Sequence, residues 1–339
     1  MTTPKAPARR RSRRRTAAAL ILALVFLAFL AFIVAEIVAA ASMRLVWENE
    51  RGQHDELRRE AFSALESTLG VLASFSRIDG ALYGPAQGWG DPLAMAGHSA
   101  IGGVKVSVTL RDETGYYSLP ALLADTFLLR RYFEDIGVGE SQAQSLADCL
   151  ADWTDEGEAA RANGAERESY TEEIAPPNRP VQSLDELRLV QGFDEVFFED
   201  GVGNDLWRLL TSSVTLVGAS ARPNINTAPR AVLEVLAERH NVDPDSVITA
   251  RDSGTGAVSA SGNSLVFRNA ADLGRSGFPV AMAESVSFNC VRLRVITRAS
   301  RGNTTFVLDT LLDVSGAAAT TVSFPYTILQ QRVNAFLQE

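Results

Sequence analysis

"VKVSVTLRDETGYYSLPALLADTFLLRRYFEDIG" occupies residues 104–137 and changes its periodicity halfway along. Val104, Val106, Val108 and Leu110 alternate with polar residues, the period of a strand with one buried face, and "RDETG" reads as its turn. From Leu119 the alternation stops, and "LPALLADTFLLRRYFEDIG" is apolar enough for a helix closed by Gly137. Helical signals then hold to about residue 250. Leu146, Leu150 and Trp153 share one helix face, and "SLDE" (183–186) spells a capping box. "NTAP" (226–229) offers cap residues before a first-turn proline, and "DPDS" (243–246) repeats the device. Strand signals return in "VSFNCVRLRVITRAS" (286–300) and "TTFVLDTLLDVS" (304–315), which flank the short turn "RGN". A strand before the helices and strands after them predict one α+β sheet interrupted by a helical insertion, with 104–110 in the same sheet as the last strands. "RDSGTGAVSASGNS" (251–264) reads as a mobile connection.

Outward toward the N-terminus, Lys5, Arg9, Arg10, Arg11, Arg13, Arg14 and Arg15 stand without an acid before an apolar run over 17–35. Nineteen residues at ~1.5 Å each give about 28 Å, close to the hydrocarbon thickness of a bilayer. A cleavable signal peptide has a shorter apolar region, of about 7 to 15 residues, although "AAAS" (39–42) resembles a cleavage site. One membrane-spanning helix is therefore expected, its basic start in the cytoplasm and the bulk of the chain outside. Glu36 falls at the far end of the run, within reach of headgroups or water. Phe62, Leu65, Leu69 and Leu72 recur at helical spacing beyond it and predict an apolar packing stripe on a stalk helix. The expected order of parts is a basic leader at 1–16, a membrane helix at 17–42 and its stalk at 43–75. An αβ head follows at 76–118 and 285–339, split by the helical insertion at 119–284.

Composition narrows the function. The 339 residues are 46% hydrophobic and 22% charged, enough for a sizeable core. Without the basic leader, 25 Lys and Arg face 41 Asp and Glu, a surface that repels nucleic acid. Cys149 and Cys290 show no metal-ligand spacing and are free either to pair or to act as buried apolar groups. His54, His98 and His240 sit in unrelated contexts, and nucleophile-elbow, zinc-protease, P-loop and dinucleotide motifs are missing, which argues against an enzyme.

Several ordered blocks carry a family resemblance: "DETGYYSL", "LADWTDEGEAARANGAERESY", "PPNRPVQSLDELRLVQGFD" and "RPNINTAPRAVLEVL". Within them stand Asp152, Trp153, Asp155, Gly164, Ala165, Glu166, Tyr170, Asn178, Pro180 and the run 224–229. With the anchor and the split head, the chain resembles the K-type minor pseudopilin of the type II secretion system. The resemblance implies a pilin-like antiparallel head with a SAM-like, helix-hairpin-helix-like insertion. It also implies a place at the tip of a short periplasmic fibre, with I- and J-type minor pseudopilins as partners and the major pseudopilin as a further candidate. The chain would help to start or cap that fibre from the inner membrane. Main pilin subunits carry a glutamate five residues into the mature helix; here cleavage after Arg15 or Thr16 puts Leu20 or Ile21 there, as in K-type members. The family's leader ends in Gly, but no Gly precedes residue 52, so processing would fall at a small residue near Thr16 and Ala17, or the basic leader is kept.

Residues 150–180 gather eight carboxylates around Trp153 and Tyr170 in an irregular loop. K-type members resemble calcium binders, which makes Asp152, Asp155, Glu158 and Glu166 the candidate calcium ligands, although no EF-hand spacing is present. "NINTAPRAVLEVL" and "LDELRLVQGFD" also resemble helix-hairpin-helix modules of DNA-uptake proteins or of a related type IV pilus-like assembly. Those modules place a cation after their hairpin glycine, whereas Gly192 is followed by Phe193 and Asp194.

Overall fold

The computed structural model describes residues 10–171, 174–218, 220–252, 257–258, 265–315 and 326–333. The first nine residues and most of the 251–264 connection lie outside them. The chain forms two compact units, Met1–Arg59 and Glu60–Glu339.

In the first unit runs most of a 70-residue helix, Arg10–Asp79. Its stretch Ala19–Arg44 is long and apolar enough to cross a membrane, and its side chains are exposed. Twenty-six residues at ~1.5 Å reach about 39 Å, more than the hydrocarbon thickness of a bilayer. Because the apolar stretch extends to Arg44, Glu36 lies two turns inside it rather than at its end.

The second unit takes in the last part of the helix. Leu65, Leu69 and Leu72 are buried there together with Ala61, Ala64 and Thr68, and only Phe62 of the expected stripe is half-exposed. Leu69 and Leu72 line one small cleft with Leu312 and Val314 of the sheet. The stripe, expected to pack stalk helices together or to pack on the chain's own sheet, is core of the chain's own head. An apolar stripe looks the same in sequence whichever surface covers it.

The head sheet has four antiparallel strands in the order Lys105–Asp112, Arg292–Arg301, Thr304–Asp313, Thr327–Val333. Lys105 pairs with Ser300 and Asp112 with Leu293, so the strand before the insertion lies beside the strands after it, as the alternation predicts. Gly302 turns the hairpin at φ 57°, a conformation that favours glycine. Two details differ from expectation. Residues 286–291 are not strand; they meet the middle of the insertion through the Asn224–Ser287 bridge. The final strand "TILQQRV" is exposed along its whole length, and without alternation it leaves no signal in the sequence.

Helices make up the insertion, chiefly Thr126–Asp135, Glu140–Thr154, Asp205–Ser213 and Arg230–His240. Asp125 and Asn204 cap their helices with side-chain oxygens, and Asp243 accepts from the Asp245 and Ser246 amides as "DPDS" predicts. The stretch read as one helix closed by Gly137 is two, Leu119–Leu123 and Thr126–Asp135, and Gly137, at φ 104°, follows the second. Tyr132, Phe133, Phe193 and Phe197 fill the centre, with the Tyr132 hydroxyl on the Ser213 hydroxyl at 2.7 Å. Leu146, Leu150 and Trp153 all face this core. Both cysteines are free and buried.

Candidate functional site

The acidic loop begins where the Glu140–Thr154 helix ends. Its last inward turn carries Asp152, whose carboxylate is fully buried. One Asp152 oxygen accepts the Arg161 amide at 3.0 Å and the other is paired with the Arg161 guanidinium. The same guanidinium nitrogen reaches Asp155 at 2.6 Å, while the second Asp155 oxygen accepts the Gly157 amide at 2.8 Å. Hydrogen bonds and the charges of Asp155 and Asp152 outweigh the burial that opposes it and raise the Arg161 pKa. Glu166 is 92% buried, and among the described residues its Oε1 has no hydrogen-bond partner. Burial first, and then the charges of Asp152 and Asp155, push its carboxyl above the usual glutamate range. Glu158 is exposed.

These positions test the calcium expectation. The donor chemistry suits a hard dication, but among the described residues no group of three acidic, His or Cys side chains is arranged to hold a metal. Asp152, Asp155 and Glu166 share the neighbourhood of Arg161, whereas Glu158 points to solvent. The four residues therefore do not fit calcium as arranged: the position between the aspartates is filled by a guanidinium. Counting acids alone cannot show this, because the decisive residue is the cation among them.

Gly164 explains part of the "GAE" block. A methyl group in place of its hydrogen would collide with the Asp152 carboxylate. Gly164→Ala should displace that buried ion pair and cost about 2–3 kcal/mol, read as a lower Tm. Glu166 gives a pH signature. A raised folded-state pKa means that the fold favours the protonated acid, so its contribution is fully present below the ordinary glutamate pKa and is lost as pH rises through the folded value. Glu166→Gln mimics the protonated form, and the Tm of the variant minus that of the wild type should grow between pH 4 and 7.5. A constant difference would contradict this assignment.

Beyond the cations, aromatic residues hold the loop. Trp153 packs on Tyr170 with ring centroids 5.5 Å apart, and the Tyr170 hydroxyl accepts the Gln191 amide. Burial pushes the Tyr170 hydroxyl up to about 12. The Trp153 indole donates to Glu186 at 3.0 Å, joined there by Arg179 and the Gln182 amide. Burial works against the Glu186 charge, but these donors prevail and lower its pKa. "SLDE" is only partly a capping box: Ser183 caps, but Glu186 clasps the acidic loop instead of the cap residue's own amide.

"NINT" forms a second cluster that the sequence does not announce. Asn224 is fully buried; its amide donates to the Tyr83 carbonyl and the Asp112 carboxylate, both at 2.8 Å. Thr227 donates to the same Asp112 oxygen at 2.6 Å, and Cys290 lies 3.1 Å from it. Asn226 is bonded to the backbone of Phe267 and Phe288. Burial raises the Asp112 pKa against these donors. The cluster joins the turn after the long helix, the first strand, the middle of the insertion and the segment before the last strands. "NTAP" is accordingly a pin between head and insertion rather than a helix cap. His98 is hydrogen-bonded to Ser67 and His240 to Ser285, whereas His54 is exposed.

A helix-borne αβ head with a large helical insertion is the architecture to be compared with known proteins. Residues 118–200 match the family model described as type II secretion system protein K, first domain. The type II secretion system protein K of Klebsiella pneumoniae is 29% identical over 119 residues, which cover 34% of this chain and 32% of that protein. The match thus spans about a third of the curated relative's length. In the crystal structure of the GspK-GspI-GspJ complex from enterotoxigenic Escherichia coli, one chain superposes with a TM-score of 0.56 at 14% identity, over 85% of this chain and 99% of that one. Residues 118–200 are thus similar to the first domain of type II secretion system protein K, and the solved structure shares the fold of the longer chain. They give no support to the DNA-uptake alternative, and Asp194, where a phosphate-binding cation would stand, pairs with Arg188 at 3.1 Å.

Proposed function

We propose that this chain works at the tip of the periplasmic pseudopilus of a type II secretion system, where it helps to initiate or cap assembly during protein export. The observation that carries this reading is the insertion itself. It enters and leaves the sheet between adjacent strands, Lys105–Asp112 and Arg292–Arg301, so the head keeps its pairing while carrying a bulky helical body. A subunit so enlarged suits the end of a fibre better than its repeating shaft. The relative solved in complex with I- and J-type subunits makes those two proteins the proposed partners here. The apolar stretch Ala19–Arg44 serves as a single-pass anchor, and the basic leader places its start in the cytoplasm of the inner membrane. The role is structural rather than catalytic. Thr16 and Ala17, the proposed processing region, lie within the continuous Arg10–Asp79 helix.

Deleting the gene in the native host tests the role. Exported proteins should accumulate in the periplasm and return to the medium on complementation; unchanged export would contradict the proposal.

A further inference from the structure

Two carboxylates of the acidic loop, Asp152 and Asp155, meet one cation, Arg161. Arg161 satisfies both oxygens of Asp152 and one of Asp155, and it retains its charge at any physiological pH. A dication between these aspartates would need six to eight oxygens at ~2.3–2.6 Å, including oxygens that now accept from Arg161. The loop therefore holds a guanidinium or a dication at this place, and not both. Glu166 supplies the independent observation. It is 92% buried, its Oε1 meets no donor among the described residues, and it lies within electrostatic reach of Asp152, Asp155 and Arg161. One guanidinium thus leaves a buried acceptor unserved, which a larger charge at the same place would engage.

We infer that the Arg161 guanidinium is the built-in counter-ion of this loop, so that the protein closes it without calcium and acquires a calcium response only when that charge is removed. Asp152 and Asp155 would then become ligands, with Glu166 as the spare third carboxylate. This inference concerns the chain's own residues and does not depend on its place in a fibre.

The test uses the full chain in detergent micelles, melted in calcium and in chelator, for wild type, Arg161→Lys, Arg161→Gln and Arg161→Gln with Glu166→Gln. Wild type and Arg161→Lys should melt at the same temperature in both buffers. Arg161→Gln should melt several degrees lower in chelator and recover in calcium, and the added Glu166→Gln should remove most of that recovery. Limited proteolysis with a glutamate-specific protease at Glu156 and Glu158 should follow the same order, faster for Arg161→Gln in chelator and slowed by calcium. A wild-type Tm that rises with calcium overturns the inference, as does an Arg161→Gln variant indifferent to the ion. If Arg161→Gln does not fold, calorimetry of calcium on wild type still decides: heat that disappears in Asp152→Asn overturns the inference, and no heat upholds it.

Discussion

Leu65→Asp should unfold the head rather than merely weaken assembly. Leu65 is 3% exposed, on the helix face that carries the buried Ala61, Ala64, Leu69 and Leu72. Removing a buried leucine side chain costs about 2–4 kcal/mol, and burying a carboxylate in its place adds a desolvation cost. The expected loss is at least about 4 kcal/mol, or on the order of 10 °C in Tm for a domain of this size. Ser63→Asp, at an exposed position of the same helix, should stay within about 0.5 kcal/mol of wild type. Circular dichroism melts of the full chain in detergent read both. A Leu65→Asp chain that melts like wild type but no longer binds other subunits would return the stripe to an intersubunit surface.

Asn224→Ala is the second large effect. The substitution leaves the Tyr83 carbonyl without its Asn224 donor and takes one of the donors from the buried Asp112 carboxylate. It also removes the oxygen that accepts the Asn226 amide, on the residue that holds Phe267 and Phe288. Buried groups left unpaired cost about 1–3 kcal/mol each, so a loss of about 3 kcal/mol is expected. Hydrogen exchange locates it: protection should fall at the Asn224, Ile225 and Ser287 amides, which cross between insertion and head, before it falls in the Thr126–Asp135 helix. Uniform loss of protection would mean that the pin has no local role.

Residues 104–137 show how far the sequence carries. The switch from alternation to helical spacing at 110–119 marks where the sheet is interrupted, because strand and helix periods differ along any short window. The partner of that strand was also legible, since the β-rich runs near 292–313 are the only strong candidates to cover its edge. What the sequence hides is which surface covers an apolar stripe and which cation neutralises an acidic loop. Leu65 is buried in its own head, and Arg161 binds Asp152 nine positions away across a loop whose path no local pattern encodes. The Asn224–Asp112 bond spans 112 residues, and two asparagines beside an apolar Ile225 resemble an ordinary cap until the fold brings Asp112 to them.

The central claim, a K-type subunit assembling with other minor pseudopilins, is tested most directly by cross-linking in the native host, mild detergent extraction, pull-down of this chain and mass spectrometry of what comes with it. Recovery of two small pseudopilins of the I and J types, cross-linked to this chain, is the predicted result. Recovery of the chain in the membrane fraction without any pilin-like partner would contradict it.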